Sequence, residues 1–458
     1  MIENDAFKLL LINLFHLNPD DITNIVCTTF NKMMVLLVTL ADKHQACPYC
    51  GFTAPKIKEY VTKEITHSAL TTQKCIIKYR ARRYKCPCCG KTYYEFNPFV
   101  FKSQKISILT VHNILKDLKD FNETFTSVAR RYHVSPTSVS TIFDNHVDIG
   151  RNPLPEIINF DEVYAFKSEK SKYVCVLLDF KKQIPVDVLP NRKKEYLLNY
   201  FQKIPLEERK KVKYACSDMY EVYRDVVHKV FPESKHLLDY FHLSQDFHKK
   251  MNEVRIKVMK GYKDNKASDE YYLLKKFNWL LFKNPEDEDK YGRLFDVERE
   301  RKYNSHFKSY MNYYDLRKKL LEINNDLTIC YSLKLELVDF YSKSTIDNAQ
   351  VNLEHLIRSF IDTNIEEMIK FSNNLINWKQ EIINSFTIVD TEYKVEADKG
   401  QVVVCNKKVN NAIIENRNKI IKCIKNNANG YTNWLRFRNR VMYVLDPNAT
   451  FSLEPREK

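Results

Sequence analysis

Hydrophobic and polar positions alternate, cluster and repeat in different ways along this chain, and each regime predicts a kind of element. The run "MMVLLVTLA", Met33 to Ala41, has strand length and is far too short to span a bilayer. "KEYVTKEIT" and "KCIIKYRARRYK" alternate in steps of two with β-branched residues, which predicts hairpin strands. From "SILTVHNILKDLKDF" the period becomes helical, with Ile108, Val111, Ile114, Leu115 and Leu118 on one face. "TFTSVARRYHVSPTSVSTIFDNHV", Thr124 to Val147, then reads as two short helices around the turn "HVS". Thr126 is expected to cap the first helix, whose apolar positions are Val128, Ala129 and Tyr132. Ser135 caps the second, with Pro136 at its first position and Val139, Ile142 and Phe143 inward. "GRNPLP", Gly150 to Pro155, reads as a linker.

Beyond the linker the pattern turns strand-rich. "EIINFDEVYAF", "KYVCVLLDF" and "QIPVDVLP" are three consecutive apolar runs, which predicts an antiparallel meander. An amphipathic helix follows, with Tyr196, Leu197, Tyr200 and Phe201 inward. Strand "VKYACSD", helix "MYEVYRDVVHKVF", strand "SKHLLDYF" and helix "LSQDFHKKMNEVRIKVM" complete the series. Three meandering strands and two strand–helix alternations match an RNase H-like layout, in which the ends of the first and fourth strands are neighbours. Those ends are Asp161 and Asp218. Carboxylates leaving apolar strands are costly unless solvated, paired or bound to a cation. A surface turn explains one such site; two side by side would repel unless divalent ions bridge them. From Asp239 to Asn411 the chain is helical and charged.

Composition narrows the partners. Across 458 residues, 44% hydrophobic and 29% charged, Lys and Arg outnumber Asp and Glu by 73 to 58, a net charge of +15. That balance favours a polyanion such as nucleic acid. With only 7 glycines, Gly-rich nucleotide loops are disfavoured, and no such fingerprint occurs. The start "MIENDAFKLLLINLF" lacks the features of a signal peptide. The 12 cysteines suit a reducing compartment and metal binding better than disulfides.

Two segments echo each other, "ACPYCGF" and "KCPCCGKTYYEF", each Cys-Pro-x-Cys-Gly. Cys47, Cys50, Cys86 and Cys89 would close one tetrahedral structural Zn²⁺ site with no open position. Each following glycine permits the positive φ that turns backbone N–H groups towards sulfur. Cys88 either competes with Cys86 or points away, and Cys75 is expected in the strand core. Arg82 and Arg83, on the basic strand "KYRARRYK", face either phosphates or solvent. If the helix pair is a DNA-binding helix-turn-helix rather than a plain hairpin, Ser135, Thr137, Ser138 and Thr141 face the major groove.

Taken in order, "CPYCG…CPCCGKTYYE", "INFDEVYAF", "ACSDMYEVYRDVVHKVFPESKHLLDYFHL" and "NNAIIENRNKIIKCIKNNANGYTNWLRFRNRV" resemble the bacterial DDE transposases of the ISL3 insertion-sequence family. The resemblance covers most of the chain. It implies an α/β multidomain protein: a zinc-ribbon region (1–100), a helix-turn-helix domain (101–150) and an RNase H-like core (151–250 and 401–458) interrupted by a large all-helical insertion (251–400). It also implies Asp161, Asp218 and Glu415 as catalytic acids holding two Mg²⁺ or Mn²⁺ ions. Ile413, Ile414, Ile420, Ile421 and Ile424 give the Glu415 helix an apolar side, while Arg417, Lys419 and Lys422 offer cations to DNA. Asp239 and His242, in "LLDYFHLSQ", either line the active site behind the ligands or secure the fold. The expected activity is Mg-dependent cleavage and strand transfer at terminal inverted repeats. The expected partners are double-stranded DNA, at element ends and target, and a second copy of the chain or a higher oligomer, with no membrane. A bacterial cytoplasmic, nucleoid-associated location follows. The competing readings are a DNA-binding regulator derived from a transposase and an RNase H-like nuclease without strand transfer.

Overall fold

The computed structural model describes residues 2–43, 46–70, 72–101, 104–166, 172–394 and 402–456. Helix α1 (Ile2–Leu14) packs on a sheet of β1 (Ile22–Phe30), β2 (Met33–Leu40), β3 (Lys56–Thr66), β4 (Cys75–Lys85) and β5 (Thr92–Tyr94). The strand order is β1-β2-β4-β3, with β5 on β4. Alternation along β4 buries Cys75, Ile77, Tyr79 and Ala81 and turns Arg80 outward, so Cys75 is a core residue as expected. The β3–β4 hairpin pairs Lys56 with Lys85 and so brings the two cysteine knuckles to the same end of the sheet.

Helices α2 (Ile108–Asp117), α3 (Phe125–Arg131) and α4 (Pro136–His146) enclose a small core of Val111, Ile114, Leu115, Leu118, Val128, Val139 and Phe143. Ser135 caps α4, accepting from Ser138 N–H, with Pro136 at the first position. The cap of α3 is Thr124, not Thr126. Thr124 Oγ1 accepts from Ser127 N–H at 2.9 Å while Ser127 Oγ accepts from Thr124 N–H at 2.8 Å, a reciprocal capping box. Starting two residues earlier also sets Phe125 edge-on against Phe143, 5.5 Å between centroids.

The central sheet contains β6 (Ile157–Val163), β7 (Val174–Asp179), β8 (Pro185–Leu189), β9 (Tyr214–Ser217) and β10 (Lys235–Leu238), in the order β10-β9-β6-β7-β8. β6, β7 and β8 form the antiparallel meander; β9 runs parallel to β6, and β10 parallel to β9. Helices α5 (Lys194–Gln202), α6 (Leu206–Arg209) and α7 (Glu221–Val230) lie between these strands in sequence. Ile158 and Phe160 pack with Leu197, Phe201, Tyr223 and Val227 on one face. Tyr196, expected inward, is exposed, and Tyr200 is partly buried, its hydroxyl donating to Asp187 at 2.7 Å. A phenol needs a polar partner, and the α5 interior offers Leu197 and Phe201 instead.

The long segment beyond β10 begins with α8 (Tyr240–Lys260), which runs through residue 250, and α9 (Asp269–Lys276). It is not all helical. Two small hairpins, β11 (Glu288–Asp289) with β12 (Gly292–Arg293) and β13 (Lys302–Asn304) with β14 (Ser309–Met311), interrupt it. Gly292, at φ +97°, makes the first possible, and Arg299 braces it through Asp289 at 2.6 Å. Helices α10 (Tyr313–Glu322), α11 (Asn325–Lys343), α12 (Ala349–Ile361), α13 (Glu366–Asn377) and α14 (Lys379–Asn384) follow, sharing one large apolar core with α8. The hairpin β15 (Ile388–Lys394) and β16 (Val402–Lys408) returns the chain to the central sheet.

There α15 (Ala412–Asn427) and α16 (Trp434–Leu445) cover the second face: Ile414, Ile421, Ile424, Phe437 and Val441 pack on Val163, Val174, Val176 and Val188. α16 also reaches the three-helix unit. Arg436 pairs with Asp144 at 2.6 Å, and Arg438 pairs with Asp187 at 2.6 Å. Arg440 is 1% exposed and donates to the carbonyls of Asp120 and Glu123. Among the described residues no helix is long and apolar enough to cross a membrane.

The capping correction is testable. Thr124→Ala should cost about 1 kcal/mol of unfolding free energy, and Thr126→Ala, at an exposed position, less than about 0.5 kcal/mol. Urea unfolding of both variants measures the difference, and a larger loss in Thr126→Ala would contradict it.

Candidate functional site

The two Cys-Pro-x-Cys-Gly segments fold alike. Gly51 N–H donates to Cys47 O at 2.8 Å and Gly90 N–H to Cys86 O at 2.9 Å, with both glycines at positive φ (75° and 72°). The four sulfurs converge: Cys47 to Cys89 is 3.7 Å and Cys50 to Cys86 is 3.5 Å. Sulfurs about 2.3 Å from one tetrahedral zinc stand roughly 3.8 Å apart, so the cluster is compatible with that ion. The backbone N–H of Cys89, helped by the Cys50 thiol and Cys88 N–H, pulls the Cys86 thiol down to about 7 against desolvation. Cys88 itself is exposed and outside the cluster.

Side chains expected at DNA sit in different surroundings. Arg82 is taken up within its own unit: it pairs with Glu95 at 2.7 Å and donates to the carbonyls of Leu40 and Ala41. Arg83 pairs with Glu59 at 2.7 Å. On α4, Ser135, Thr137 and Thr141 are exposed and Ser138 is half-buried, its hydroxyl 2.8 Å from that of Ser135. On α15, Lys419 and Lys422 are exposed, whereas Arg417 is half-buried and donates to Gln183 O at 3.2 Å.

The acids assemble at the ends of three strands. Asn159 lies opposite Cys216 in the parallel β6–β9 ladder, so two further steps set Asp161 beside Asp218. Leu238 lies opposite Ser217 in the β9–β10 ladder, and Asp239 N–H extends it to Ser217 O at 2.9 Å. One more step sets Asp239 beside Asp218. Strand alternation gives all three the parity of Ile157, Cys216 and Leu237, which pack together with Val409 and Ile413. They therefore face α15, while Glu162 turns to the opposite face, where Arg192 pairs with it and Tyr223 donates to it at 3.3 Å. The adjacent pair Asp161-Glu162 is split by the pleat.

α15 brings the fourth acid. Asn411, just before the helix, donates its N–H to Asp239 Oδ1 (3.2 Å) and its amide to Phe160 O (3.2 Å), and accepts from Asn159 (2.7 Å). This clamp fixes the first turn, where Glu415 lies 4.0 Å from His242 Nε2, itself 3.9 Å from Asp239 Oδ2. Asp239, His242 and Glu415 each offer a ligand atom, all within 4.8 Å of one another. Asn418, one turn after Glu415, donates to Asp161 Oδ2 at 2.7 Å. Neither Asn411 nor Asn418 is singled out by sequence reasoning, although spacings of four before and three after Glu415 place them on its helix face.

Burial chiefly, then the nearby Asp218, lifts Asp161 to about 7, against the Glu162 N–H and His242. Burial and Glu162 lift Asp218 to about 6, against His242 and Arg192. Asp239 is raised by burial, with Glu415 adding to it. Asp218 Oδ1, Asp239 Oδ2 and His242 Nε2 are buried with no hydrogen-bond partner among the described residues. Hard carboxylate oxygens, mutually repelling and turned inward unpaired, fit divalent Mg²⁺ or Mn²⁺. Because these folded-state values lie above the unfolded carboxylate value near 4, the carboxyls stabilise the fold most below about pH 4 and lose that contribution as pH rises through 6 to 7. A cation bound there takes over from the protons. The rise in melting temperature on adding Mg²⁺ or Mn²⁺ should therefore be larger at pH 8 than at pH 5.5 and shrink in Asp161→Asn. Differential scanning calorimetry decides it; an equal rise at both pH values would contradict the site.

A family model described as Transposase, that of the DDE-type ISL3 group, matches residues 158–397. That range holds Asp161, Asp218, Asp239 and His242 and stops before Glu415. The chain is also similar to the transposase for insertion sequence element IS1001 of Bordetella parapertussis, at 19% identity over 409 residues, 89% of this chain and 90% of that protein. With more than half of its length inside the family match, the protein belongs to the ISL3 family of transposases.

Proposed function

We propose that this transposase binds the terminal inverted repeats of its element and carries out Mg-dependent cleavage and strand transfer at the carboxylate site. The observation carrying the reading is the convergence of Asp161, Asp218 and Asp239 on neighbouring strand ends with Glu415 facing them from α15. The order of strands supports an RNase H-like core, formed from residues 151–250 and 401–458 around the inserted segment 251–400.

In this reading Asp161, Asp218 and Glu415 hold the divalent ions, and Asp239 with His242 lines the same cavity. The ions, when bound, supply Lewis-acid charge to the phosphodiester and a nucleophile at neutral pH. Asn418 holds Asp161 Oδ2 in place, and Asn411 fixes the backbone before Glu415. Glu415, with about a third of its side chain exposed (34%), stands at the mouth, where a DNA backbone can approach. Water attacks phosphorus and its oxygen stays on the 5′-phosphate as the P–O3′ bond breaks; the 3′-oxygen leaves as a hydroxyl with a proton from that water, and this 3′-OH then attacks a target phosphorus, displacing the target's own 3′-oxygen, which takes up the proton. Positioning and charge stabilisation are the protein's part.

End recognition falls to α4, with Ser135, Thr137, Ser138 and Thr141, and to the zinc-ribbon region 1–100 held by Cys47, Cys50, Cys86 and Cys89. Lys419 and Lys422, exposed on α15, and the half-buried Arg417 are the phosphate contacts of this reading. Joining two ends calls for a dimer or higher assembly on DNA.

The test is incubation of the purified protein with labelled terminal-repeat DNA and Mg²⁺, resolving products on a denaturing gel. Wild type should cut at the repeat boundary. Asp161→Asn and Glu415→Gln should each lose at least about 10²-fold in rate while still binding DNA, the scale for removing one stabilising group from a preorganised site. Cleavage that survives Glu415→Gln would exclude that residue, and binding without cleavage in wild type would favour a DNA-binding regulator.

A further inference from the structure

Outside the carboxylate site, a second set of metal-ligating side chains converges where the helical segment meets the central sheet. His228 on α7, His236 on β10 and Glu381 on α14 each offer a donor atom, all within 4.8 Å of one another. Glu381 Oε1 is 3.9 Å from His228 Nε2 and 4.0 Å from His236 Nδ1. His236 is 1% exposed, and its Nδ1 is buried with no hydrogen-bond partner among the described residues. Its other nitrogen, Nε2, lies 2.9 Å from Ser217 Oγ.

We propose that His228, His236 and Glu381 form a second transition-metal site, taking Zn²⁺ or a similar first-row divalent ion, separate from the four-cysteine cluster. Two imidazoles and one carboxylate are three protein ligands with a fourth position open, a donor set that suits zinc rather than magnesium. Ligand atoms about 2.0–2.1 Å from a tetrahedral ion stand roughly 3.4 Å apart, so Glu381 must close by roughly 0.6 Å on each ring, and the two imidazoles, within 4.8 Å of each other, by at most roughly 1.4 Å. His228, whose side chain is 55% exposed, can move to meet an ion and gives it a way in from solvent, while the gap between His236 and Glu381 closes by adjustment of those two buried side chains. Burial, with His228 and Arg224 beside it, holds His236 down near 3, which keeps the ring neutral and its lone pair available. Arg224 is itself engaged, over the Trp378 ring at 4.3 Å and donating to Asn377 O at 2.9 Å.

Occupancy would have a defined consequence. A metal on Nδ1 puts the ring proton on Nε2, which then donates to Ser217 Oγ, and Ser217 donates to Asp218 O at 2.9 Å. Anchoring a ligating histidine through its second nitrogen is how metal sites fix ring orientation. The ion would thus tie α14 to α7 and β10, with its hydrogen-bond chain ending on the backbone of Asp218.

The test uses the full chain and is independent of DNA cleavage. Wild type, His228→Ala, Glu381→Gln and Cys50→Ser are dialysed against micromolar free Zn²⁺, and zinc per chain is counted by plasma mass spectrometry. His228→Ala and Glu381→Gln should each hold one zinc fewer than wild type, and His228→Ala combined with Cys50→Ser should hold two fewer. The Zn²⁺-induced rise in melting temperature should also shrink in His228→Ala, whose exposed position spares the fold. Equal zinc content in wild type, His228→Ala and Glu381→Gln would overturn the site.

Discussion

Like charges crowded at the ends of neighbouring strands are the constraint on which the rest of this structure depends. Parallel pairing of β9 with both β6 and β10 aligns Asp161, Asp218 and Asp239, and the pleat turns all three to one face. Water-poor surroundings make that arrangement unfavourable for ionised carboxylates, which is why Asp161 and Asp218 are pushed up to about 7 and about 6. Such a cluster persists only if the surrounding fold holds it and something positive compensates it. Under the function proposed above, divalent ions supply that compensation.

The holding is done mostly by asparagines and by the chain's C-terminal helices. Asn159, Asn411 and Asn418 lace α15 to β6 and β10 through uncharged donors, adding no charge to a site that already has too much of one sign. α16 extends the same logic outward. Its arginines answer Asp144 in α4 and Asp187 in β8, so one helix fixes the three-helix unit against the sheet. The fully buried Arg440, on the carbonyls of Asp120 and Glu123, makes that junction costly to pull apart. The three-helix unit and the central sheet are thereby joined by packed structure as well as by the segment Gly150–Pro155.

Much of this was legible in the sequence because periodicity and local chemistry agreed. The meander, the alternation of strands and helices, the four cysteines and the cap at Ser135 all follow from patterns within a few residues of each other. What was not legible depends on partners distant in the chain. Arg82 looked free until Glu95 and the carbonyls of Leu40 and Ala41 came beside it. Thr124 outcompeted Thr126 because Ser127 could return its hydrogen bond and Phe125 could reach Phe143. Two-residue hairpins such as β11–β12 carry too little pattern to interrupt a helical reading. Asn411 and Asn418 sit at helical spacing from Glu415, yet their roles appear only once α15 lies on β6. The cluster of His228, His236 and Glu381 likewise draws on three separate elements and has no motif at all.

The central claim is that Asp161, Asp218 and Glu415 surround one divalent-ion site. Anomalous diffraction from crystals of the protein soaked in Mn²⁺ tests it most directly, because it locates the ions without relying on activity. The account predicts manganese peaks between Asp161 and its two partners, with Asp239 and His242 at the border. Peaks elsewhere, or a site that leaves Asp161 and Glu415 unliganded, would contradict it.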